Sequence, residues 1–208
     1  MSFSSLTRKF WMALTGLFLI TFLALHLTIN LLTLLPDPEV FNGASHFMAS
    51  NVFIQLMQYV LALGFIMHIA TGIILNRQNN AARPVKYENN RPGENSSAAS
   101  RSMIRTGLLV LVFLLIHLYN YYYKIKFVGV DDDYILVTEL FDGWIYTLIY
   151  VISFVMLGIH LNHGFQSSFQ SLGAEHRKYT VWIKKIGSLY SVIIGAGFSL
   201  IALYHFIF

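Results

Sequence analysis

Five runs of apolar residues, each long enough to cross a lipid bilayer as a helix, leave this chain few folds to choose from. A bilayer core is about 30 Å thick and takes about 20 helical residues to cross. The runs lie at residues 10–35, 52–76, 103–124, 144–167 and 181–208. In lipid, backbone polar groups are satisfied only within helices or closed barrels, and runs of this length predict helices. Of the 208 residues 56% are hydrophobic and 12% charged, against about 25% charged in an ordinary soluble domain. The expected fold is an all-α membrane protein, five transmembrane helices in one domain over 1–208. The first run is too long for a signal-peptide core, and no small-residue cleavage site follows it.

The charges say which way the helices run. Twelve of the 14 Lys and Arg fall on one side: Arg8 and Lys9; Arg77, Arg83, Lys86, Arg91, Arg101 and Arg105; Arg177, Lys178, Lys184 and Lys185. The other side holds Lys124 and Lys126, with seven of the ten acids: Asp37, Glu39, Asp131, Asp132, Asp133, Glu139 and Asp142. The positive-inside rule then predicts a cytoplasmic N-terminus and an outer C-terminus, with Trp11, Trp144 and Trp182 at interfacial span starts. A net charge of +4 distributed this way marks topology rather than a nucleic-acid surface, so no nucleic-acid partner is expected. Residues 77–102, rich in Asn, Arg and Ser, read as a flexible cytoplasmic connection. No internal repeat or low-complexity tract is evident. The absence of cysteine excludes a Cys-ligated zinc, an iron–sulfur cluster or a covalently attached c-type haem on this chain.

Ionisable residues inside membrane helices are costly and usually functional. The first four runs each carry one in their interior: His26, His68, His117 and His160. Each lies a little past its run's midpoint. Because successive helices run antiparallel, the shared offset alternates in depth. His26 and His117 fall on the outer side, His68 and His160 on the cytoplasmic side, at levels roughly 12 Å apart by helical rise. Two histidines at one depth on separate helices are what a haem lying edge-on between helices needs, and two such pairs make room for two haems. Bis-histidine ligation leaves no open position, which suits electron transfer rather than oxygen binding. Gly64 and Gly72 flank His68, and Gly164 follows His160, on the ligand's own helical face, where a flat group can approach. A proton-relay transporter is the competing reading, and it more often carries intramembrane carboxylates. His163, a turn beyond His160, is an alternative ligand or a partner for a haem propionate. His46, His176 and His205 read as solvated.

The N-terminal run SSLTRKFWMALTGLFLITFLALHLTINLL and the segment HLNHGFQSSFQSLG resemble the cytochrome b subunit of succinate dehydrogenases and fumarate reductases, in its single-chain, five-helix, two-haem branch. The resemblance covers essentially the whole chain, and the histidine set is its specific part. It implies haem b between His68 and His160 on the cytoplasmic side and a second haem b between His26 and His117 on the outer side. It implies flavoprotein and iron–sulfur partner subunits on the cytoplasmic face, carrying the FAD, the clusters and all dicarboxylate chemistry. It also implies a quinone, with menaquinone expected, a bacterial inner membrane location, and a complex open to oligomerisation. Asp37, Glu39 and His46 are the candidates for proton transfer to quinone. Arg77, Arg101 and Arg105 are candidates to pair with propionates. A cytochrome b of another quinone-linked complex, such as a hydrogenase or formate dehydrogenase, fits the same histidines.

Overall fold

In a computed structural model, residues 5–81, 98–174, 176 and 178–208 are described. These residues are all helical or in short connections, without strands. Helix α1 spans Ser5–Asn30 and ends in a 3-10 turn, Leu31–Leu34. Helix α2 is Pro38–Ser50 and α3 is Val52–Ala81. Helix α4, Ala98–His117, continues as a π-helical segment, Leu118–Val128. A short α5, Asp133–Thr138, is followed by α6, Trp144–Ser171, and α7, Thr180–Ile207.

Five of these helical stretches are long and apolar enough to cross a membrane, as expected of a multi-pass membrane protein. They run further than the apolar residues alone indicate. The segment 77–102, read as one flexible connection, is helical at both ends, through Ala81 and from Ala98; Arg83, Lys86 and Arg91 between them, and Arg177 later, lie outside the described residues. Asn, Gln and Ala after residue 76 lower hydropathy without breaking a helix, which is why the pattern stops early. Large apolar side chains face outward along the spans, Leu25, Ile66 and Val192 each being more than 60% exposed. Lipid is the solvent that such a surface fits.

The two surface helices were not expected, because their residues read as loop. Asp37 caps α2, its carboxylate accepting from Glu39 N at 3.0 Å, and Pro38 occupies the first helical position. Asp132 caps α5 in the same way, accepting from Ile135 N at 3.0 Å. Asn42 joins the two helices: its amide donates to Asp132 at 3.2 Å and its carbonyl accepts from Tyr134 N at 2.9 Å. The Ile135 backbone bond holds the Asp132 carboxyl below its ordinary value of 3.8. A carboxylate depressed in the folded state adds stability above its unfolded pKa and loses it as pH falls through the folded one. Asp132→Ala should cost about 1 kcal/mol at neutral pH. That difference should vanish in acid, well below pH 4, when the thermal midpoints of the two chains are compared.

The bundle is two hairpins and an outer helix. Helix α1 packs on α3 and α4 packs on α6 to make the hairpins, α1 also packs on α6 between them, and α7 lies along α6. Two glycines bring the backbones of α6 and α7 together. A Cβ on Gly195 would stand 3.1 Å from the Phe154 carbonyl oxygen, and one on Gly158 3.2 Å from that of Ser191. Small residues at helix contacts let backbones approach in a medium that offers no hydrophobic drive between helices. Ser188 donates to Asn162 at 3.0 Å across the same interface. Buried aromatics, among them Phe113, Phe141, Tyr150, Phe154 and Phe198, fill the far half of the bundle, the half away from the N-terminus. Gly173, at φ 75°, ends α6 in the left-handed conformation that suits glycine.

Candidate functional site

The histidines meet in two pairs. The rings of His26 on α1 and His117 on α4 have centroids 5.8 Å apart with planes at 90°, and His68 on α3 faces His160 on α6 at 6.4 Å and 82°. Each pair joins one hairpin to the other. Both join helix pairs, α1 with α4 and α3 with α6, whose backbones make almost no close approach. Gly16 and Gly107 lie level with the near pair, His68 and His160, since a Cβ on each would stand 3.4 and 3.2 Å from the respective ring. Counted along α1 from Gly16 to His26, the near and far levels are about 15 Å apart, slightly more than the run midpoints suggest.

The two levels are built differently. The far pair sits in an aromatic box. His26 stacks on Phe22 at 5.2 Å and meets Phe198 at 5.6 Å, while His117 is walled by Phe113, Tyr121 and Tyr150 at 5.7, 5.1 and 6.3 Å. His117 Nδ1 is buried without a hydrogen-bond partner among the described residues. The near pair instead has hydroxyls beside it: Thr15 Oγ1 is 3.4 Å from His68 Nδ1, and Thr106 Oγ1 is 3.3 Å from His160 Nδ1.

These near-level residues expose a repeat that the apolar background hides. Met12, Thr15, Gly16 and His26 recur at the same spacing as Met103, Thr106, Gly107 and His117, and His68 with Gly72 recurs as His160 with Gly164. The structure uses them equivalently. The Met12 methyl lies 3.5 Å from a Cβ built on Gly72, and the Met103 methyl 3.6 Å from one on Gly164. The expectation of no internal repeat is therefore corrected. Its signal, M-x-x-T-G followed by a lone His, is present in both hairpins, but leucines and phenylalanines dilute it. Thr15, Thr106, Gly16 and Gly107 are the site residues that the sequence reading missed.

The remaining candidates are dispersed. It is His160, not His163, that stands against His68; His163 is half-buried one turn on. Asp37, Glu39 and His46 are exposed on or beside α2, a helix rather than the loop expected, and the polar groups packed about the far pair are Tyr121, Tyr150 and Asn120. Arg77 and Arg105 are exposed, and the Arg101 side chain lies outside the described residues. Arg8 is a better placed cation. Its Nε is buried without a hydrogen-bond partner among the described residues, and its spacing puts it on the α1 face that carries Met12, Thr15 and Gly16. His205, expected to be solvated, is half-buried and bonded at 3.0 Å to Thr33.

Can two imidazoles hold a metal group here? Imidazole nitrogen binds a transition metal at about 2 Å, which sets the ring centres of two axial ligands on one metal roughly 6 Å apart. The ring separations of 5.8 and 6.4 Å fit it. Among the described residues no cluster of three or more His, Cys, Asp or Glu could hold a bare ion. Two protein ligands and glycine-lined space suit a planar macrocycle that brings its own equatorial donors. The orphaned His117 nitrogen, the glycines beside the near rings and the buried Arg8 Nε all fit haem with its propionates. Comparison with family models, with curated proteins and with solved structures finds no match for this chain.

Proposed function

We propose that this chain is the membrane-anchoring cytochrome b subunit of a succinate:quinone oxidoreductase in a bacterial inner membrane, N-terminus in the cytoplasm. His68 and His160 would hold one haem b towards the cytoplasm, and His26 and His117 a second towards the outside. The observation that carries the reading is the meeting of four otherwise isolated membrane histidines as two cross-hairpin pairs at two depths. Haem in these positions supplies one-electron chemistry; the chain contributes axial nitrogens, a dry aromatic or glycine-lined surround, and charge for the propionates. Arg8 is the propionate partner that the burial favours.

The choice of succinate rests on the resemblance of the first and fourth spans, and so do the flavoprotein and iron–sulfur partners. Quinone would enter by an open, shallow hollow between the α4 continuation and α6, where Asn120 lies with Tyr119 and Tyr146 among apolar residues. The Asn120 amide donates to the Tyr150 hydroxyl at 3.1 Å, and the Tyr150 ring meets that of His117.

The test is a reduced-minus-oxidised spectrum of the purified complex, with haem counted per chain and succinate then dithionite as reductants. Two b haems per chain, reduced in part by succinate, are expected. Two haems reduced by dithionite alone would overturn the succinate assignment and leave a cytochrome b of another quinone-linked complex. A complex without haem would overturn the reading and return the histidines to proton transfer.

A further inference from the structure

Thr15 on α1 and Thr106 on α4 are each buried, with the hydroxyl within reach of both a backbone carbonyl and a histidine, unlike Thr21 and Thr28 of α1. Thr21 and Thr28 return their hydroxyl protons to the carbonyl one turn back and are otherwise exposed, the ordinary behaviour of threonine within a helix. Thr15 makes the same bond, donating to the Trp11 carbonyl at 2.8 Å with the Met12 carbonyl at 3.2 Å. Thr106 donates to the Met103 and Ser102 carbonyls at 3.1 and 3.2 Å.

A hydroxyl has one proton and two lone pairs. With that proton engaged by a carbonyl, the contact with His68 or His160 is a hydrogen bond only if the imidazole donates. The threonine oxygen therefore places the proton on Nδ1 of each near ring and leaves the Nε2 lone pair bare. In the far pair, by contrast, His117 Nδ1 has no hydrogen-bond partner among the described residues.

We propose that Thr15 and Thr106 are positioning residues for the near pair: each holds the histidine of its own hairpin in the Nδ1–H form and at a fixed ring angle, so that both Nε2 atoms address one metal. The assignment rests on the haem reading above. A bond accepted from Nδ1–H makes the imidazole a stronger donor. Each hairpin thus carries a complete half of the near site, the ligand together with the group that orients it.

The experiment compares the full complex with its T15V/T106V and T15S/T106S variants. Haem content, redox titration and the low-spin ferric resonance, whose anisotropy follows the angle between axial ring planes, are read for each. The valine variant should bind the near haem about 10–100-fold more weakly, raise its midpoint potential and alter its ferric resonance, leaving the far haem unchanged. Serine should restore all three, since it keeps the hydroxyl. If the double valine chain does not assemble, T15V and T106V singly should each give the same changes in weaker form. Valine variants indistinguishable from the parent, or serine variants that fail to recover, overturn the assignment while the two-haem reading stands. A parent complex without haem overturns both.

Discussion

Replacing His68 or His160 by alanine should remove one haem and leave the other, and replacing His26 or His117 should remove the complementary one. The expected result is half the haem absorption per chain in all four variants, with two distinct residual spectra that sort them as His68 with His160 and His26 with His117. The sorting follows from the ring contacts, 6.4 Å for one pair and 5.8 Å for the other. It also follows from their surroundings, since the near rings lie beside threonine and glycine and the far rings against phenylalanine and tyrosine. The levels are about 15 Å apart, too far for one ligand to replace another. Variants sorted as His26 with His68, or a folded chain that loses both haems from any single change, would overturn the two-level pairing.

The second large effect is structural. Gly195→Val should loosen the packing of α7 on α6. A Cβ at that position already stands 3.1 Å from the Phe154 carbonyl oxygen, and a backbone atom within a helix has no rotamer by which to move away. Branching at Cβ adds two further methyls to the same space. Overpacking of this kind costs about 1–3 kcal/mol, and a chain of this size should lose on the order of 5–10 °C in its thermal midpoint in detergent. Gly143→Ala is the control, because a Cβ there meets nothing within 4 Å. Equal midpoints for the two variants would overturn the role of Gly195 in the α6–α7 contact.

Both predictions depend on residues that differ in how plainly the sequence displays them. A histidine in an apolar run has no polar company, so His26, His68, His117 and His160 stand out, and antiparallel alternation is enough to assign their depths. Thr15 and Thr106 do not stand out. Threonine is ordinary in a membrane helix, and only the packing of α1 on α3 and α4 on α6 shows that these two face a ring while Thr21 and Thr28 do not. Gly195 reads as one small residue among many in α7, and its tight contact exists only once α6 is beside it. Helix α2 was legible in principle from Asp37 and Pro38, a capping residue and a first-turn proline, but Gly43 and the polar residues around it made the segment resemble a loop. His205 was misread because nearness to the outer surface says nothing about a partner such as Thr33, which the fold brings to it from just past the end of α1.

The placement of the histidine pairs also bears on how the molecule comes together. Each pair spans helices whose backbones otherwise hardly touch, so the two hairpins are joined chiefly through α1 on α6 and through whatever the imidazoles grip. In lipid, apolar side chains gain little by leaving hydrocarbon for one another. A ligand that binds only the assembled form stabilises it by mass action. On the haem reading proposed above, haem supply would govern the yield of the bundle as well as its colour. Cells short of the pigment should then accumulate inserted but unmated hairpins, open to membrane proteolysis, and the prosthetic group would act as the rivet between them.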